Sequence, residues 1–307
     1  MSNLAAAPRG SRSLRSLGRA DGVGLRVVDG REVFNVPVAG GALGGWAMGA
    51  GPAVLLLHGG PGLSYEYLDG LAAELGPDYR VAAYQQRGLE PSTVEGPFTV
   101  AQAIADVLAV LGALEWSRAL IVGHSWGGHL ALRFAAAHPE RLLGALAVDP
   151  LGIVGDGGMA AFDAEMLART PKEGRERARE LDERAMAGEG TAEEGLESLR
   201  IVWPAYFADP ERAPAMPPVR MSVEAYSGII GDVATGADEV ATKLATSGVP
   251  YGVIAGAGSP MPWGQAARAS ADVAPEAFLT VVPAAGHFPW LEVPGSVRYA
   301  LTRLPDE

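Results

Sequence analysis

Ser125 is the residue in this chain best placed for covalent chemistry. It stands at the centre of Gly123-His124-Ser125-Trp126-Gly127, between an apolar run, RALIVG (118–123), and a helix-like run, WGGHLALRFAAAHPE (126–140). A serine hydroxyl is a weak nucleophile until a base takes its proton and donors receive the charge its attack creates. The G-x-S-x-G spacing has a steric reason. A strand-to-helix turn tight enough to lift the hydroxyl above a sheet leaves no room for side chains two residues to either side. The helix starting at Trp126 turns its free amide groups and positive end toward the developing oxyanion.

A second oxyanion donor is expected from His58-Gly59-Gly60-Pro61-Gly62, directly after AVLLL (53–57). Glycine lets backbone come close to a substrate, so the amide of Gly59 or Gly60 would act together with that of Trp126. For the base there are five histidines: His58, His124, His129, His138 and His287. His58 and His124 lie in the two glycine-rich loops and are expected to shape them. His129 falls on the helix after the turn, and His138 at its C-terminal end, where an imidazolium suits the helix dipole. His287, in the loop AAGHFPWLEVP between a last strand and a last helix, is the expected general base.

The elements that must position these groups alternate regularly. LRVVDGREVFNVPV (25–38) predicts two strands around an Asp29–Gly30 turn. Further strands are predicted at 53–57, 80–88, 118–123 and 142–150, with helices at 68–75, 101–114 (Thr99 as cap) and 126–140 between them. Successive βα units predict a doubly wound, mostly parallel sheet. The rhythm stops from about 156 to 245, where the sequence is helical and carries 18 acidic against 10 basic residues, a net −8. It resumes with PYGVIAGAG near 250. The expected organisation is a flexible tail at 1–22, a core at 23–151 and 247–307, and a helical cap at 152–246 inserted after the sixth strand.

Composition narrows the function. With no cysteine, the chain has no disulfide, thiolate metal site or cysteine nucleophile. A net charge of −12, from 24 basic and 36 acidic residues, argues against nucleic-acid or anionic-membrane partners. The tail carries Arg9, Arg12, Arg15 and Arg19 but no apolar run of signal-peptide length, which favours a disordered cytoplasmic tail over a transit peptide. No apolar stretch approaches a membrane span, so a cytoplasmic location is expected.

HGGPG (58–62), QQRG (85–88), GHSWGG (123–128) and AGHFPWLEVP (285–294) together resemble the α/β-hydrolase superfamily, most of all its proline iminopeptidase-like enzymes. The resemblance covers about 25–150 and 248–305. It implies Ser125 as nucleophile, His287 as base, amides of Gly59 or Gly60 and of Trp126 as oxyanion donors, and neither cofactor nor metal. The family's usual acid would stand in a loop that here reads Gly256-Ala257-Gly258-Ser259-Pro260, so Ser259 takes its place. A serine cannot stabilise the imidazolium. Asp149, ending the strand after the nucleophile's βα unit, is the expected acid, with Asp272 a weaker choice and a Ser–His dyad a third.

Proline iminopeptidases are similar to one another in holding the substrate's free amine with cap glutamates, one after a tryptophan. Here Trp203 precedes Pro204, and no motif selects Glu193, Glu194, Glu197 or Glu224. Trp203, Tyr206 and Phe207 are expected to line a substrate pocket or else to glue the cap to the core. Epoxide hydrolases and haloalkane dehalogenases resemble this fold but need a carboxylate where Ser125 stands. The expectation is a serine hydrolase acting on an ester, thioester, lactone or amide in a small molecule or short peptide. The rival is a non-hydrolytic binding or acyl-transfer protein with an incomplete triad.

Overall fold

Asp29 and Gly30 both adopt positive φ (48° and 83°), the conformation a two-residue hairpin turn requires. They join β1 (Arg26–Val28) to β2 (Arg31–Val38) in antiparallel register. The computed structural model describes residues 26–305, so the tail expected at 1–22 lies outside the described residues. β3 (Gly41–Met48), an eight-residue strand, has no counterpart in the sequence reading. Its glycines lower strand propensity and hid it, yet they are what the packing needs. A Cβ at Gly45 would stand 2.5 Å from the Phe34 ring.

From β4 (Ala53–Leu57) onward the strands are parallel: β5 (Arg80–Tyr84), β6 (Ala119–His124), β7 (Leu142–Val148), β8 (Tyr251–Gly256) and β9 (Phe278–Val282). The nine strands of the described residues form one sheet in the order β1-β2-β3-β5-β4-β6-β7-β8-β9. β6 is buried along its whole length and β4 along all but its first residue, as their unbroken apolar runs require.

The chain leaves β4 for β5 on one side and returns past it to β6 on the other, so direction reverses between β4 and β6. The loops after these two strands therefore diverge and open a crevice at the strand ends. α1 (Asp69–Leu75) packs with the C-terminal helix Ser296–Leu301, and α2 (Val100–Ala113) with α3 (Trp126–Ala137). Each pair closes its own apolar layer, one on each face of the sheet. Thr99 caps α2 as expected, accepting from the Gln102 amide at 3.2 Å.

The helical segment follows the seventh strand, not the sixth, because β3 adds one to the count. It comprises α4 (Met159–Arg169), α5 (Lys172–Met186), α6 (Ala192–Val202), α7 (Val223–Asp232) and α8 (Ala237–Thr246). Leu63 and Met221 form an antiparallel bridge, so the stretch before α7 is stitched to the loop after β4. α8 packs on α3 of the core. No helix of the described residues is long and apolar enough to cross a membrane.

Arg87, just after β5, and Asp106, on α2, are both buried and paired twice, Nε to Oδ2 at 2.7 Å and Nη2 to Oδ1 at 3.0 Å. Removing one partner would strand the other charge away from water. Asp106→Ala is expected to lose about 3 kcal/mol of unfolding free energy, read as a lower midpoint in urea. A midpoint equal to wild type would contradict this.

Candidate active site

The turn at Ser125 follows from crowded backbone. A Cβ on Gly123 would stand 1.9 Å from the Gly127 carbonyl oxygen, and one on Gly127 would stand 2.2 Å from that of Leu57. With that space emptied, Ser125 takes φ 55° and ψ −119°. A non-glycine residue there carries strain of about 1–3 kcal/mol, which the surrounding bonds must hold. The Ser125 amide donates to Val148 O (2.9 Å), and its carbonyl accepts from Gly128 (2.9 Å) and His129 (3.1 Å).

Ser125 and His287 line one cavity of about 60 Å³, together with Gly60, Tyr67, His124, Trp203, Tyr206 and apolar groups. His287 Nδ1 donates to Asp149 Oδ2 at 2.6 Å, and both side chains are almost wholly buried. The carboxylate also receives the Gly256 amide on Oδ1 (2.9 Å) and the Ser259 hydroxyl on Oδ2 (2.5 Å). Thus Ser259 hydrogen-bonds the carboxylate that the sequence nominates as the acid. The Ser259 oxygen in turn accepts from the Met261 amide at 3.0 Å. Asp272 lies elsewhere, on the surface against Arg268.

The expected oxyanion donors are placed unequally. The Gly59 amide donates to the Tyr67 hydroxyl at 2.5 Å. Gly60 lies on the cavity wall, and the Gly60 and Trp126 amides bond no acceptor among the described residues. Of the three aromatic residues expected near the substrate, Trp203 and Tyr206 line the cavity and Phe207 does not. Phe207 is buried, stacked on Phe288 and edge-on to Trp203, because its side chain fills the seam between cap and core. Tyr206 stacks on the His287 ring with centroids 5.1 Å apart.

Sequence reading expected His124 only to shape its loop and gave Tyr67 no role, and both help to hold His287. The Tyr67 hydroxyl accepts from Gly59 and donates to His124 Nδ1 (2.9 Å); His124 Nε2 then donates to the His287 carbonyl (2.8 Å). The His287 amide donates to the Tyr206 carbonyl (2.8 Å). Glu292 accepts from Gly286 (2.6 Å) and Ala208 (2.9 Å), joining the His287 loop to the cap. Only the placement of Glu292 five residues beyond His287 was visible beforehand. In QQRG, Gln86 accepts from the Trp126 indole and donates to the His58 carbonyl, tying the two oxyanion loops together.

Three other histidines are buried and neutral. Burial lowers His58 and His129 from their ordinary 6.5 to about 4, and burial with repulsion from His287 lowers His124 well below that ordinary value. Each neutral ring donates from one nitrogen and accepts on the other. His58 Nε2, for example, accepts the Gln86 amide at 3.0 Å. The described residues hold no cluster of potential ligands able to bind a metal ion.

A family described as "Alpha/beta hydrolase family" matches residues 54–298. Epoxide hydrolase B of Mycobacterium tuberculosis is 37% identical over 101 residues, 32% of this chain and 28% of that protein. A serine hydrolase-like protein of Danio rerio is 35% identical over 126 residues, 39% of this chain and 38% of that one. The chain thus spans well under half the length of these relatives. An alpha/beta fold family hydrolase from Bacillus anthracis superposes with TM-score 0.69 at 17% identity, covering 89% of this chain and 99% of that chain. Naproxen esterase from Bacillus subtilis gives 0.62 at 17%, covering 89% and 90%. At such identity the structural likeness speaks for the fold.

The neutral histidines set an acid limit to stability. Unfolded, each would take a proton near 6.5; folded, His58 and His129 do so only near 4. Between these values the unfolded chain binds more protons, so stability is whole above about pH 6.5 and falls as pH drops toward 4. Thermal melting from pH 8 to 4 should trace this fall. His129→Gln, which keeps one donor and one acceptor, should make it shallower, and an unchanged slope would contradict the assignment.

Proposed function

This chain belongs to the alpha/beta hydrolase family, and on that premise we propose that it is a cytoplasmic serine hydrolase that cleaves an ester or related acyl bond through an acyl-enzyme. His287 takes the Ser125 proton as the oxygen attacks the carbonyl carbon. Asp149 stabilises the resulting imidazolium and fixes which ring nitrogen is free. The oxyanion is received by the Gly60 and Trp126 amides, while Gly59 stays bonded to Tyr67. His287 returns the proton to the leaving group, and water then releases the acyl group by the same route in reverse. The carrying observation is the 2.6 Å bond from His287 to Asp149 on the wall that also bears Ser125.

Esters are favoured over N-terminal peptide bonds. Glu194 and Glu197 are engaged by Arg184 and Arg177, Glu224 takes the Ser222 hydroxyl, and Glu193 is exposed. An aminopeptidase of the proline iminopeptidase type would need such a glutamate free beside the nucleophile. Epoxide opening fits less well. Attack by a serine oxygen would leave an ether, which this machinery does not cleave, where a carboxylate would leave an ester. The rival of an inert binding protein rested on the missing acid at 259, and Asp149 meets that need.

A fluorophosphonate probe should label the protein at Ser125, and Ser125→Ala should abolish both labelling and hydrolysis of p-nitrophenyl esters. An unlabelled, inactive wild type would overturn the reading in favour of the binder. Asp149→Asn should lower kcat on the order of 10⁴-fold, and a drop below about tenfold would remove Asp149 from the mechanism. Exchanging the two side chains, Asp149→Ser with Ser259→Asp, should recover at least about tenfold of that loss, since Ser259 sits beside the carboxylate oxygen that meets the His287 ring.

A further inference from the structure

The cavity that holds Ser125 does not end at the aromatic wall. A second cavity, about 130 Å³, shares the wall residues Gly60, Leu63, Leu199 and Tyr206 with it and so adjoins it. The first contains no carboxylate. The second has Asp182, from α5, in its wall with Ser198 and Tyr226. The Tyr226 hydroxyl donates to Asp182 Oδ1 at 3.0 Å.

Asp182 differs from the acids around it. Along α5 and α6, Glu176 and Glu183 pair with Arg179, Glu180 and Glu197 with Arg177, and Glu194 with Arg184. These are solvent-facing pairs worth little individually. Among the described residues no Lys or Arg forms an ion pair with Asp182. Loss of water around the carboxylate raises its pKa, with the Tyr226 bond partly offsetting the rise. Asp163, on α4, is raised for the same reason and by repulsion from Asp182. Burial raises the Tyr206 hydroxyl, and both carboxylates add to that rise, so their fields meet at the residue dividing the two cavities. A carboxylate in a cavity wall with no ion-pair partner attracts a cation, and the Tyr206 and Tyr226 rings lining the same cavity reinforce the preference.

We infer that the second cavity is a subsite for a cationic group, and that the substrate is an acyl compound whose protonated amine stands several bonds from the carbonyl attacked by Ser125. This rests on the serine hydrolase reading above and deepens it. An ammonium directly beside that carbonyl would lie in the first cavity, against no carboxylate. Distance from the reacting carbon is therefore what separates this substrate class from amino-terminal peptides.

Phenyl esters of ω-aminoalkanoates, from aminopropanoate to aminohexanoate, test this against neutral alkanoate esters of equal length, with phenol release as the signal. At one chain length or more the amino ester should exceed its neutral counterpart by about tenfold in kcat/KM. In Asp182→Asn, which keeps an acceptor for Tyr226, that ratio should fall to near unity, with the melting temperature reporting the fold. Equal rates across the series, a ratio that survives Asp182→Asn, or a preference confined to α-amino esters would each overturn the subsite while leaving the hydrolase intact. No turnover of any ester together with no labelling of Ser125 would instead overturn the hydrolase reading, and the subsite with it.

Discussion

The carboxylate of Asp149 ties together the ends of three parallel strands. It leaves the end of β7 at a positive φ of 43°, receives the Gly256 amide from β8, and accepts from His287 in the loop after β9. A buried anion is tolerable only when its lone pairs are met, and here a backbone amide, a hydroxyl and an imidazole meet them. The arrangement fixes His287 in position and tautomer before any substrate arrives. It also explains Ser259. Its small hydroxyl donates to the same Asp149 oxygen that His287 reaches.

Around that carboxylate, the site avoids charge wherever chemistry does not need it. His58, His124 and His129 are buried where an imidazolium would be strongly disfavoured, so each acts as a rigid two-ended connector. The strand end that presents Ser125 is thereby joined through His124 to the loop that presents His287. Backbone crowding at Gly123 and Gly127 sets the height of Ser125, and side-chain bonds set the position of His287.

Much of this was readable in the chain because steric and periodic rules leave local traces. The parallel core, the turn at Ser125, the Thr99 cap and the Asp29–Gly30 hairpin all follow from short segments. β3 was not legible, since its glycines answer to Phe34 on the neighbouring strand and nothing in 41–48 announces that. Asp149 could be nominated from its place at the end of the strand after the βα unit of Ser125 and from the serine at 259, but its bonds come from β8 and the loop after β9, more than a hundred residues away. Phe207 and Tyr206 are adjacent aromatic residues with equal claims on paper, and only packing against Phe288 sends one into the seam and the other to the cavity. Asp182 was hidden in a run of charges in which Glu176 and Glu183 pair outward with Arg179.

The backbone of the inserted segment takes part in holding His287, through the Tyr206 carbonyl and through Glu292, which grips Ala208 and Gly286. This divides the inserted segment into parts with different freedom to diverge. The outer helices α5 and α6 make none of these bonds to the His287 loop, so changes there leave its two anchor points in place. The short stretch from Tyr206 to Ala208 cannot be exchanged on those terms, since a transplant there would have to bring its own carbonyl and amide to the same two points.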